Sequence, residues 1–226
     1  MQPTYLPWSG YFNLIDSVDD FVFLDDVQFE RRSWQSRNRI LVHGREYLLT
    51  VPVVKAPRET CISDIVVDES SDWRIHHERV LASAYCKAPY GEVALSVVLQ
   101  CIADRQLQRL ADLNIRIIEA VCALLGLTAN LHRASAFRCP GSRSEHLSLI
   151  CEHLGTDDYL SPAGSMAYLE QDAFAARYGK RLRVQQFTPM TYRQLGAPTF
   201  VSHLSIIDVL AHLGTEQTLR YIRSPS

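Results

Sequence analysis

From Thr128 to the last residues, short β-branched or aromatic runs alternate with apolar stretches at helical spacing, and this alternation limits the chain to few folds. "TANLHRAS", "DDYLSP" and "LRVQQF" read as strands. "SRSEHLSLICEHLG", "SMAYLEQDAFAARYG" and "LSIIDVLAHLG" read as helices. Strand and helix in regular succession predict an α/β fold with a mostly parallel sheet and flanking helices. The first half adds other elements. "QPTYLPWSGYF" opens as a loop broken by Pro3 and Pro7, then a helix spans Tyr11–Val18 and a buried strand Phe21–Leu24. "RILVHGREYLLTVPVV" predicts a β-hairpin around His43-Gly44-Arg45, and "CISDIVVD" a further short strand. Residues 73–126 are helical throughout, with Asp72 as an N-cap, a break between Asp104 and Leu113, and Gly126 as the stop. The expected architecture is one domain, 1–226, with a hairpin excursion and a helical lobe at 73–126.

Composition supports a real core, since 47% of residues are hydrophobic and 21% charged. A formal net charge of −2 argues against a nucleic-acid binder that works through a global positive field. No apolar run reaches the roughly 20 residues needed to span a bilayer, and no signal peptide is visible. Six cysteines without a C-x-x-C pair predict reduced thiols in a cytoplasmic protein, with no disulfide and no metal site.

Chemistry is concentrated in "LDDVQFERRSWQSRNRIL", residues 24–41. Ligands of α/β proteins bind outside the carboxyl ends of parallel strands, and Asp25 and Asp26 stand at such an end. Tyr159 and Ser161 follow the same rule in "YLSPAGS". The Asp pair is equally readable as a turn and helix cap, and "RNRI" as a solvated edge. Asp208 lies inside an apolar helix, where a carboxylate needs a partner; Arg39 or Arg32 is the expected one. No nucleophile elbow or P-loop occurs. Cys139 and Ser161 lie on loops without an identifiable base, and His77 is the best proton carrier. "LPWSGYFNLI" has the layout of a nucleotidylyl-transferase phosphate loop, with Trp8 and Tyr11 where its histidines would stand.

In order along the chain, "QPTYLPWSGYF", "FVFLDDVQF", "NRI", "LTVPV", Trp73 with His77, "APY", "YLS" and "LSIIDVL" resemble the WbqC-like protein family. Members usually carry a few apolar residues before the Gln-Pro as a first strand, and often a His directly before it; here Met1 stands there. The resemblance implies a place in bacterial surface-polysaccharide or secondary-metabolite biosynthesis, with glycyl-type aminoacyl transfer to an amino sugar as the suggested activity. The polar positions it marks are Gln2, Tyr5, Asp25, Asp26, Gln28, Asn38, Arg39, His77, Tyr159, Ser161 and Asp208.

Three functions follow as expectations. The first is acyl or aminoacyl transfer to a small-molecule amine from a carrier-protein thioester or aminoacyl-tRNA. Asp26 or His77 would be the base and Asn38 or Tyr159 the oxyanion donor. Arg31, Arg32 and Arg39 would hold a phosphopantetheine or nucleotide-sugar phosphate, with no cofactor of the protein's own. The second is an ATP-dependent, nucleotidylyl-type amide ligase. The third is a non-catalytic ligand-binding protein of a biosynthetic pathway.

Overall fold

In a computed structural model, which describes residues 1–224, the opening loop leads into α1 (Ser9–Asp16) and strand β1 (Asp20–Phe23). Met1 runs beside β1: its amino group donates to the Val22 carbonyl at 2.5 Å, and Leu24 N–H donates to the Met1 carbonyl at 2.9 Å. That is one residue of parallel pairing. Burial pushes this amino group down to about 5.

The hairpin is present as β2 (Arg37–Val42) and β3 (Arg45–Thr50), with Val42 opposite Arg45. Its two turn residues, His43 and Gly44, have φ of 50° and 76°, as a type I′ turn requires. Gly44 is also a contact point. A Cβ there would lie 2.1 Å from the Gly196 carbonyl oxygen, and Gly196 itself has φ of 75°.

"CISDIVVD" is not a strand. Its backbone bonds go to three separate partners, with single bridges Gln28–Cys61, Val53–Val67 and Val66–Arg109, so no ladder propagates; Ile62–Asp64 forms a 3₁₀ turn instead. Three helices follow, α2 (Trp73–Tyr85), α3 (Gly91–Ala103) and α4 (Leu110–Leu125). The expected break falls at 104–109, and α4 stops at Gly126, whose φ of 68° is the left-handed cap glycine allows. Asp72 precedes α2 without a capping hydrogen bond from its side chain.

The alternating half gives β4 (Asn130–Arg133), α5 (Ala134–Phe137), α6 (Arg143–His153) and β5 (Asp158–Ser161), then α7 (Met166–Gln171), α8 (Phe174–Tyr178), β6 (Arg181–Val184) and α9 (Ile206–Ile222). The single helix expected over "SMAYLEQDAFAARYG" is split into α7 and α8. Ala173 turns into the left-handed region (φ 49°), and Asp172 is tied to α6 through Ser144 Oγ at 2.7 Å.

The fold is α/β. β1 pairs parallel with β4, Phe21 opposite Leu131, and β5 pairs parallel with β6, Tyr159 opposite Leu182. The parallel strands form two separate pairs rather than one continuous sheet. A cleft of about 790 Å³ lies between them, lined by Val22 and Leu24 on one side and Tyr159 and Leu160 on the other. The main core joins α1, β1, the hairpin, α2–α4 and α9. Leu147, Leu169 and Phe174 make a second, small core among α6, α7 and α8. Among the described residues no helix is long and apolar enough to cross a membrane, and the six cysteines are free.

Candidate functional site

The carboxyl ends of β1 and β4 meet in register, Phe23 opposite Arg133, and the charged groups collect there. Asp25 is fully buried and its carboxylate is well supplied. It accepts from Arg133 Nε at 2.7 Å, from Ser135 N–H at 2.9 Å and from Ser135 Oγ at 2.8 Å. Arg133 reaches on to Asp112 of α4, donating from Nη1 at 2.6 Å. Burial pulls against the Arg133 charge, but the two carboxylates outweigh it and hold the guanidinium above its ordinary range. A buried carboxylate persists as a charge only with such partners. Asp25 therefore fixes the β4–α5 junction to the end of β1.

Asp26, the next residue, faces another partner. Its Oδ2 lies 3.3 Å from His146 Nε2, near the start of α6. This is an ion-pair separation, and Asp26 Oδ1 and His146 Nε2 are buried polar atoms without a hydrogen-bond partner. His146 Nδ1 donates to the Pro140 carbonyl at 3.3 Å, which orients the ring and leaves Nε2 toward Asp26. Asp26 raises the imidazole above the ordinary histidine range, against the opposing effect of burial. The His146 side chain is only 7% exposed and that of Asp26 21%, so the pair opens to solvent mainly on the Asp26 side. A partly desolvated carboxylate–imidazole pair with unsatisfied atoms can take a proton from a ligand and hold it.

The remaining sequence-marked residues are placed as follows. Tyr5 OH and His77 Nδ1 are 2.8 Å apart within the core, and the His77 ring meets Trp73 edge-on at 5.1 Å. Burial, helped by His76, pushes His77 down to about 4, so it stays neutral. His77 points into the core from α2 and is no surface proton carrier. Asn38 uses both amide hydrogens on backbone: Nδ2 donates to the Tyr5 and Leu6 carbonyls at 3.0 and 2.9 Å. It clamps the turn in which Leu6 adopts a φ of 44°, and has no amide hydrogen left for an oxyanion.

Gln2 accepts from Gln35 Nε2 at 3.0 Å and lines the large cleft together with Tyr159, whose ring packs on Phe174 at 5.3 Å. Ser161 is fully buried and donates to its neighbour's carbonyl, that of Pro162. Gln28 is exposed beside Cys61. Arg39 pairs with Glu46 at 2.9 Å and shares no partner with Asp26. Arg31 and Arg32 line a second, smaller cavity with Arg37.

Asp208 is fully buried, but no arginine reaches it. Tyr192 OH donates to its Oδ2 at 2.6 Å and Gln194 Nε2 at 2.9 Å, with His212 Nδ1 at 3.7 Å. Neutral donors from the loop before α9 take the place of the expected guanidinium.

Sequence reasoning thus found Asp25 and Asp26 but missed Arg133, Ser135 and His146. Arg133 was within reach of the strand-end rule, since it closes the strand in "TANLHRAS" as Leu24 does the first.

A profile of the WbqC-like protein family matches residues 2–220. The chain is 31% identical to the uncharacterized protein Rv1507c of Mycobacterium tuberculosis (strain ATCC 25618 / H37Rv), over 99% of this chain and 97% of that protein. No solved structure gives a significant match. The motifs at the strand ends, the match over nearly all residues and the full-length relative agree: the chain belongs to the WbqC-like protein family.

Proposed function

We propose that this protein transfers an acyl or aminoacyl group to an amine acceptor such as an amino sugar or a secondary-metabolite intermediate, with His146 as general base and Asp26 as its partner. The observation that carries the reading is the Asp26–His146 contact at 3.3 Å, with an unsatisfied Nε2 beside a partly open carboxylate. An attacking ammonium must lose a proton. The amine nitrogen then forms the C–N bond, and the C–S or C–O bond to the donor breaks. By then the ammonium proton has gone to solvent; the second proton, shed by nitrogen as the C–N bond forms, passes to His146 Nε2 and onward to the departing thiolate or alkoxide. Asp26 stabilises the imidazolium in between, so an enzyme nucleophile is unnecessary. Asp25, Arg133 and Ser135 position the end of β1 on which Asp26 sits.

The test is direct. Purified protein is given aminoacylated carrier protein or aminoacyl-tRNA with a panel of amino sugars, and amide products are read by mass spectrometry. His146→Gln and Asp26→Asn should each abolish product, whereas His77→Phe should retain it. Product unchanged in the first two would remove the pair from the reaction. Pyrophosphate release from ATP and free amino acid would replace transfer by the ligase reading.

A further inference from the structure

We infer that the cavity of about 300 Å³ between the 29–37 segment and residues 51–56, which follow β3, is a binding site for the phosphate of a phosphopantetheine arm. The phosphate site stands on its own geometry; the naming of phosphopantetheine rests on the acyl-transfer reading above. Arg31, Arg32, Arg37 and Lys55 rim the cavity, and Phe29 and Ile65 are among its apolar floor. Among the described residues none of these four cations has a carboxylate ion-pair partner. Arg39, two positions along the same strand as Arg37, is by contrast neutralised by Glu46.

Two of the guanidiniums are held by backbone instead. Arg31 Nη2 donates to the Ala56 carbonyl at 2.9 Å, and Arg37 donates to the Arg32 carbonyl. Each tether uses part of a five-hydrogen fork and orients the rest. Arg32 itself has a φ of 60°, a conformation costly for a long side chain and concentrated at ligand-holding loops. Unpaired like charges around one hollow repel one another, and an anion relieves that repulsion. Arginine is suited to phosphate because the fork meets two oxygens at once.

Size and charge select among phosphates. The cavity is at the small end of ligand pockets, and its floor is apolar, which suits a single phosphate leading into a slender arm. A polynucleotide would need a longer positive track, and the chain as a whole carries a formal charge of −2. Phe29 is three residues from Asp26, so their Cα atoms lie within about 11 Å. That span is within the length of an extended arm anchored at the rim.

Calorimetric titration with 4′-phosphopantetheine and with unphosphorylated pantetheine tests the site. The phosphorylated compound should bind about tenfold or more tightly, as expected for charge-assisted hydrogen bonds. The preference should shrink as salt rises. Arg31→Ala combined with Arg37→Ala should erase it, as should Lys55→Glu, a milder surface change that guards against misfolding of the double variant. Arg39→Ala should leave it intact. Equal binding of the two compounds, no binding of either, or a preference that survives the rim variants would overturn the site. Binding of tRNA in place of phosphopantetheine, lost in the same variants, would overturn the occupant. Phosphate preference without any transfer would sink the transfer reading alone; transfer without phosphate preference would sink this site alone.

Discussion

The molecule has two unequally packed regions, and the Asp26–His146 pair spans them. Asp26 extends from β1, whose Phe21 and Phe23 belong to a core shared by α1, the hairpin, α2–α4 and α9. His146 belongs to α6, in a region whose own core is the small cluster of Leu147, Leu169 and Phe174, with Ile150 and Cys151 of α6 also buried. Stability within a protein is set region by region, so elements with few enclosed apolar side chains open first. The difference teaches that the proposed general base, His146, is carried by the weaker region and Asp26 by the stronger one. Any loosening of α6 therefore separates the pair before it disturbs the main fold.

The largest expected effect breaks the weaker region outright. Phe174→Ala should cost about 3–5 kcal/mol, because it removes the largest of three side chains from the small core. Hydrogen exchange should then show lost protection over residues 143–184 while α4 stays protected. Uniform loss across both regions would mean that they unfold as one unit and that the comparison is mistaken.

Next comes the link between the regions at the strand ends. Arg133→Ala leaves the fully buried Asp25 with only its Ser135 donors. It should lower stability by about 2 kcal/mol in urea titrations, less than a fully buried pair because the Arg133 side chain is 37% exposed. Restoration by Arg133→Lys to near wild-type would show that charge alone suffices there and that the guanidinium geometry is dispensable.

The third expectation concerns pH. Asp26 raises His146 above the ordinary histidine value of 6.5. Because the folded value is raised, the stabilisation from the charged pair is fully present below about 6.5 and is lost as pH rises through the folded value. A base needs its unprotonated form, so kcat/KM should rise with pH through a limb above 6.5. Asp26→Asn removes the raising influence and should shift any residual limb downward, with little change in Tm at pH 8. A limb that stays in place would separate His146 from the reaction. The smallest effect is reserved for Arg39→Ala. Its pair with Glu46 is 31% and 47% exposed, so stability should change by less than about 1 kcal/mol and the amide yield not at all.

What was legible in the sequence is what local chemistry decides. Alternation marked the strands of the second half and helices α6 and α9 but not the break between α7 and α8; Gly126 ended α4, and His43-Gly44 shaped the hairpin. Two carboxylates after an apolar run marked a strand end. The unread part depends on direction and on distant partners. His77 and Asn38 look available in the sequence because nothing there says that α2 turns His77 onto Tyr5, or that Asn38 closes on the Tyr5 and Leu6 carbonyls. Asp208 was seen to need partners, yet Tyr192 and Gln194 come from a stretch without periodicity. His146 is 120 residues from Asp26, and only the parallel return of β4 beside β1 brings α6 round to it.

The contact between Gly44 and Gly196 has a practical side. Hairpin tips are ordinarily where foreign segments, new termini or epitope tags are tolerated. Here the tip is docked, with no room for a Cβ between Gly44 and the Gly196 carbonyl oxygen. Grafting at either turn disturbs the other, so the two must be treated as one joint in any redesign. A split reporter or a new chain end belongs elsewhere, for instance at Gly155 or Gly179, where an added Cβ meets nothing within 4 Å.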